Sequence, residues 1–153
     1  MSNLFDPRSR DQLRERLSRL DQKAKARWGR LDAHKALCHL IDTFEHSISA
    51  QPDDGWWPPG LPLVPVRWMR AIFLTTQVPW PKSFQTSKKL LERQPGSFEE
   101  DRQTLLDWLD RFCRESAGRR RLPAHPALGR LEPSEWARFH FRHLDHHLAQ
   151  FGC

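Results

Sequence analysis

What this chain lacks already narrows what it can be. Only three cysteines occur in 153 residues (Cys38, Cys113 and Cys153), and no two of them form a CxxC pair. An odd, scattered set builds no disulfide framework and fits a reducing compartment, so a cytoplasmic location is expected. No apolar run approaches the roughly 18 residues of a membrane span. The opening MSNLFDPRSRDQL carries no signal-peptide core, so no membrane role is expected. GxSxG, P-loop, dinucleotide-binding and HExxH motifs are all absent, which sets aside the commonest serine-hydrolase, nucleotide-binding and zinc-protease chemistries. Tyrosine is missing altogether, an absence with no evident physical cause.

What is present is aromatic and basic. An apolar fraction of 38% is low, but 7 Trp and 9 Phe carry large apolar area per residue and argue for a folded chain. The length suits one domain, residues 1–153, around one core. Net charge is +6, with a pI near 9.8. The basic residues cluster at Arg8 to Arg19, Lys23 to Arg30 and Arg119 to Arg121. Aromatics do not interleave with these clusters, so surface charge is the expected role and nucleic acid is not an expected partner.

Helical periodicity dominates the rest. DPRSRDQLRERLSRLDQKAKARW, residues 6–28, is predicted as a first helix, capped by Asp6, opened by Pro7 and striped by Leu13, Leu17 and Leu20. Asp32 caps a second, with Leu37, Leu40, Ile41, Phe44 and Ile48 on its apolar face. Residues 50–96 are broken by Pro and Gly, with VRWMRAIFLTT as a short apolar helix among them. So long a connection forms either a lid or a satellite core, and Trp56, Trp57, Trp68 and Trp80 suggest that it packs down. Ser97 and Glu100 make a capping box for a helix that buries Leu105, Leu106, Leu109, Phe112 and Cys113. A last helix runs from about Glu132, a poor cap, to Phe151. Four long amphipathic helices and no convincing strand give an all-α four-helix bundle with a Pro- and Trp-rich connection between helices two and three.

The chemistry lies in histidine. Half of the 8 histidines sit in the closing HFRHLDHHLAQFGC: His140, His143, His146 and His147. At roughly 100° per residue, His143 and His147 stand one turn apart on the flank of a stripe of Ala137, Phe141, Leu144, Leu148 and Phe151. His39 flanks the apolar stripe of the second helix in the same way. Three imidazoles from two helices could then meet over the bundle groove, bind one divalent cation and leave a position open for water or substrate. Gln150, on nearly the same side, is placed to hydrogen-bond a ligand, a water or the chain terminus. His140 competes for a ligand role and His46 is a further supporting residue. His146 points farther round, Asp145 points away, and His34 and His125 lie in or near loops. The ordinary alternative is a set of solvated or core-satisfied histidines. Cys38 precedes His39, but helix neighbours diverge, so packing rather than nucleophilic catalysis is expected of it.

Several stretches carry a family likeness: WGRLDAHKALCHLIDTFEHSI, VPWPKSFQTSKKLLE, HPALGRLEPSEWARFHFRHLDHHLAQFG and, more loosely, FEEDRQTLLDWLDRF. The chain resembles the DUF1569 group of the DinB/YfiT-like superfamily from Trp28 to Gly152. That resemblance implies a four-helix bundle of up-down-down-up topology. It also implies a divalent metal held by one histidine of helix two, in an HL context, and two from HxxxHxxQ in the last helix. Here these fall on His39, His143 and His147, with the glutamine at Gln150. PWPK and HPALG are implied to lie near the site. This sequence departs from the pattern in SFQT, where relatives carry a glycine-containing turn, and in the Glu132 cap.

Two functional classes lead, with nucleic-acid or acidic-partner binding a lesser third. The first is a metal-dependent enzyme in which nickel or zinc on His39, His143 and His147 activates a thiol or water against an electrophilic small molecule. A transferase using a low-molecular-weight thiol belongs to this class. No Glu or Asp stands out as a general base, which favours thiol chemistry over hydrolysis. The second is a non-catalytic bundle that binds metal structurally or mediates protein interaction, homodimerisation included.

Overall fold

The computed structural model describes residues 2–49, 65–75, 79–82, 93–119, 122–125 and 127–153. Side chains that the sequence offers as caps start three of the helices. Asp6 accepts the N–H groups of Arg8 and Ser9 at 3.3 and 3.2 Å and opens α1, Pro7–Ser18. Asp32 accepts the Lys35 N–H at 2.8 Å and opens α2, Ala33–Ile48. The short α3, Val66–Leu74, follows Pro65 without a side-chain cap. Ser97 and Glu100 form the expected reciprocal box at the head of α4, Phe98–Ser116. At α5, Pro133–Gln150, Glu135 makes up for the poor cap: its carboxylate accepts the Glu132 N–H at 2.9 Å. Among the described residues there is no strand, only an isolated bridge between His125 and Gly129. No helix among them is long and apolar enough to cross a membrane.

The first helix is ten residues shorter than the sequence predicts, ending at Ser18 rather than Trp28. After Leu20 the apolar stripe continues only with the small Ala24, and Asp21 turns the chain by accepting the Lys23 N–H at 2.7 Å. The segment beyond then runs to the far end of α5, where the Arg27 N–H donates to the Gln150 carbonyl at 2.8 Å. Local helix propensity loses to this tertiary contact.

The most extensive packing joins α2 to α4; α5 packs on α1, α3 and α2. Phe44, Phe112 and Trp136 are fully buried at the centre, with Phe44 and Phe112 edge to face at 5.9 Å between ring centroids. Phe5 stacks on Phe112 at 6.1 Å, and the Leu4 N–H donates to the Ala137 carbonyl at 3.2 Å, so the N-terminal segment closes the same core. The buried side of α4 is Leu105, Leu109 and Phe112 with Phe98, while Leu106 and Cys113 are only partly covered. On α5 the expected stripe shifts: Phe141 is half-buried, and Trp136, Phe139 and His140 take its place inside. The cause is contact with α1, α2 and α3 together, which covers more than one flank of α5. Trp68 stands exposed on α3, Trp80 packs inward, and Trp56 and Trp57 lie outside the described residues, as does the SFQT turn. The choice between lid and satellite core for residues 50–96 falls largely outside them too.

Phe112 touches Phe5, Phe44 and His140. Phe112→Ala is expected to cost about 3–5 kcal/mol of unfolding free energy through the cavity left behind, read as a lowered urea midpoint. A loss under about 1 kcal/mol would contradict this packing.

Candidate metal centre

Burial and helix geometry bring three predicted site residues together. His39 on α2 and His143 and His147 on α5 are each less than a tenth exposed. The Nε2 atoms of His39 and His143 lie 3.0 Å apart, and those of His143 and His147 3.2 Å apart. One ring nitrogen from each falls within 4.8 Å of the others, so this buried group could hold a metal ion. Zinc–nitrogen bonds of about 2.0–2.1 Å in a tetrahedron set ligand nitrogens roughly 3.3 Å apart, so the two short spacings fit such an ion with small adjustments.

The electrostatics favour lone pairs over protons. Burial, then the neighbouring His39 and His147, holds His143 well below the usual imidazole range. Burial and His39 likewise pull His147 down to about 3. Neutral imidazole is the ligand form.

Gln150 decides which nitrogen of His147 carries the remaining proton. Its side-chain amide donates to the Trp28 carbonyl at 2.6 Å, which turns the amide oxygen toward His147 Nδ1 at 2.8 Å. That oxygen can only accept, so His147 keeps its proton on Nδ1 and presents a bare Nε2 to the centre. Gly29 makes room for the arrangement: its φ is +78°, and a Cβ there would come within 2.8 Å of the Gln150 amide nitrogen. A glycine inside a charged stretch was the sequence signal for this contact, and the spacing argument did not use it.

An aromatic wall closes one side. Trp80 stacks on His143 with ring centroids 5.2 Å apart at 29°, and its indole N–H donates to the Phe73 carbonyl at 3.2 Å. Arg142 donates to the Ile72 carbonyl at 2.9 Å and lies 5.9 Å from the Trp80 ring centre, bracing the same wall. His146 is half-buried between Trp28 and Trp80. PWPK therefore reaches the centre through Trp80.

The other predicted residues do not join the triad. His140 stacks on Phe44 at 4.0 Å, and its Nε2 lies 2.9 Å from the Ser47 hydroxyl, so it belongs to the core. His46 lies close enough to His125 and His140 to act electrostatically on both, and forms no part of the triad. His125, in HPALG, accepts the N–H groups of Ala127 and Leu128 on Nδ1 at 3.1 and 3.2 Å. His125 thus packs on Trp136 and Phe139 of α5. Cys38 is buried as expected; burial and Asp101 push its thiol up to about 12, which leaves it a poor nucleophile. A hollow of about 310 Å³ lined by Arg19, Asp21 and Phe151 shares no residue with the centre.

A family model described as "Protein of unknown function (DUF1569)" matches residues 5–152. No curated protein and no solved structure matches the chain.

Gln150→Leu is expected to weaken metal affinity about 10–100-fold with helix content unchanged, read by chelator competition. Gly29→Ala should act in the same direction. Wild-type affinity in Gln150→Leu would remove the orienting role. Burial lowers His125 from its ordinary 6.5 to about 3, so the stability due to its neutral ring is complete above 6.5 and is lost as pH falls toward 3. The expected loss is about 1.4 kcal/mol per pH unit for this proton, and His125→Gln should flatten the slope of unfolding free energy accordingly.

Proposed function

The chain belongs to the DUF1569 family, and we propose that it is a metal-dependent enzyme built on a DinB-like four-helix bundle of α1, α2, α4 and α5. His39, His143 and His147 hold the cation, and the observation that carries this reading is the convergence of their Nε2 atoms in a buried, proton-poor space. A divalent ion there, nickel or zinc, supplies Lewis acidity that brings the pKa of a thiol or water toward neutrality.

The protein's own groups do the rest. Gln150 holds the tautomer of His147, and Trp80 keeps water from one face of His143. No carboxylate belongs to the three-histidine group, so its residues offer no general base beside the bound nucleophile. A nucleophile that needs only to lose a proton on binding suits this setting, and a low-molecular-weight thiol attacking an electrophilic small molecule is the favoured reaction class. His39, His143 and His147 would hold the ion, which, when bound, would supply the acidity that deprotonates the thiol.

A second reading rests on one observation, the burial of all three histidines. A closed site is typical of a structural ion. In that case the cation joins α2 to α5 without turning over substrate.

The deciding experiment uses protein purified without a histidine tag. Elemental analysis should find nickel, zinc or a similar ion, and His143→Ala with His147→Ala should lose one equivalent. Thiol-dependent turnover of electrophiles should disappear with chelation and return with metal. Absence of that equivalent after reconstitution sinks the proposal, and unfolding of the double variant with no turnover in the wild type favours the structural ion.

A further inference from the structure

A second donor set lies between α2 and α4. His34 and Cys38 are four residues apart, so they share one face of α2, and that face meets Asp101 on α4. The Asp101 carboxylate oxygen is 2.7 Å from His34 Nε2 and 3.7 Å from Cys38 Sγ. All three donor atoms fall within 4.8 Å of one another. Cys38 is 3% exposed, and the His34 and Asp101 side chains, at 13% each, leave a way in from the surface.

As a purely polar tie the group is uneven. The same Asp101 oxygen also accepts the Gly96 N–H at 2.9 Å, so it is well supplied without the thiol. Cys38 contributes only a weak, long S–H contact. The set nonetheless combines the three donor types, imidazole, thiolate and carboxylate, that borderline-soft divalent ions accept together. Ideal zinc bonds would place nitrogen and sulfur about 3.4–3.6 Å from the carboxylate oxygen. The sulfur already lies near that range, and a sub-ångström withdrawal of the partly exposed His34 ring brings the nitrogen to it.

We propose that His34, Cys38 and Asp101 form a second divalent-cation site, of zinc or cobalt type, that clamps the first turns of α2 to the start of α4. On binding, the Cys38 thiol gives its proton to solvent and the sulfur takes one coordination position. His34 keeps its proton on Nδ1 and offers Nε2, Asp101 offers one oxygen, and water fills the fourth place. One thiolate and one carboxylate balance the charge of the ion. Hard ions such as magnesium and calcium are not expected to bind, since a thiolate and an imidazole suit them poorly. This site rests on donors separate from those of the three-histidine group, so either proposal can fail without the other.

The test is a cobalt(II) titration of the full chain, followed by absorption and by bound metal per chain. Wild type should take up two equivalents and show a sulfur-to-cobalt charge-transfer band. His143→Ala with His147→Ala should keep the band and one equivalent. Cys38→Ser should lose the band and keep the other equivalent, and Asp101→Asn should weaken binding at this site at least tenfold. Lack of a thiolate band in wild type overturns the proposal. A band that survives Cys38→Ser overturns it as well, because the sulfur would then be Cys113 or Cys153. If the double-histidine variant does not fold, wild type against Cys38→Ser alone decides the question.

Discussion

Three imidazole nitrogens aimed at one buried point are the constraint around which this protein is arranged. The two short spacings, 3.0 Å and 3.2 Å, would set lone pair against lone pair unless a proton or a cation stands between them. Burial keeps His143 and His147 from taking up a second, charging proton, and a charged ring would work against its neighbours. A divalent ion answers both difficulties at once, because it takes up lone pairs and requires unprotonated ligands. The cost of gathering three polar rings in the interior is otherwise hard to account for.

Much of the fold serves to hold that point. Packing of α2 on α4 and α5 sets His39 against the pair on α5. The segment between α1 and α2 contributes no ligand, yet its Trp28 carbonyl orients Gln150 and through it His147. The Trp80 side wall hangs from the Phe73 carbonyl of α3. The second proposed site uses a different face of the same stretch of α2, where Cys38 faces Asp101 while its neighbour His39 faces α5. Adjacent helix positions diverge by roughly 100°, which lets one helix serve two partners with two kinds of donor.

Local features read from the sequence where their physics is local. Asp6, Asp32 and the Ser97–Glu100 box start helices because an oxygen one turn back is all an exposed amide needs. Spacing alone put His143 above His147 and Gln150 on the same side. Reading failed where the outcome depended on distant residues. The first helix stops at Ser18 because a later contact with α5 outweighs propensity, and Phe141 sits at the edge because α1, α2 and α3 together cover more than one flank of α5. His140 and His46 looked like neighbours of the site by periodicity, but an aromatic core and the HPALG turn claim that flank instead.

By itself, then, the sequence determined an all-helical chain, the starts of its main helices and a pair of histidines four residues apart, since hydrophobic period and capping act within a few residues. Only the tertiary structure decided how closely His39 approaches that pair, that Trp28 and Gly29 fix the glutamine behind it, and that His34, Cys38 and Asp101 come together. Each of those contacts joins residues 63 or more positions apart, apart from the i,i+4 pair within α2. Their geometry comes from how helices cross and which faces they bury, and a one-dimensional pattern carries no term for that.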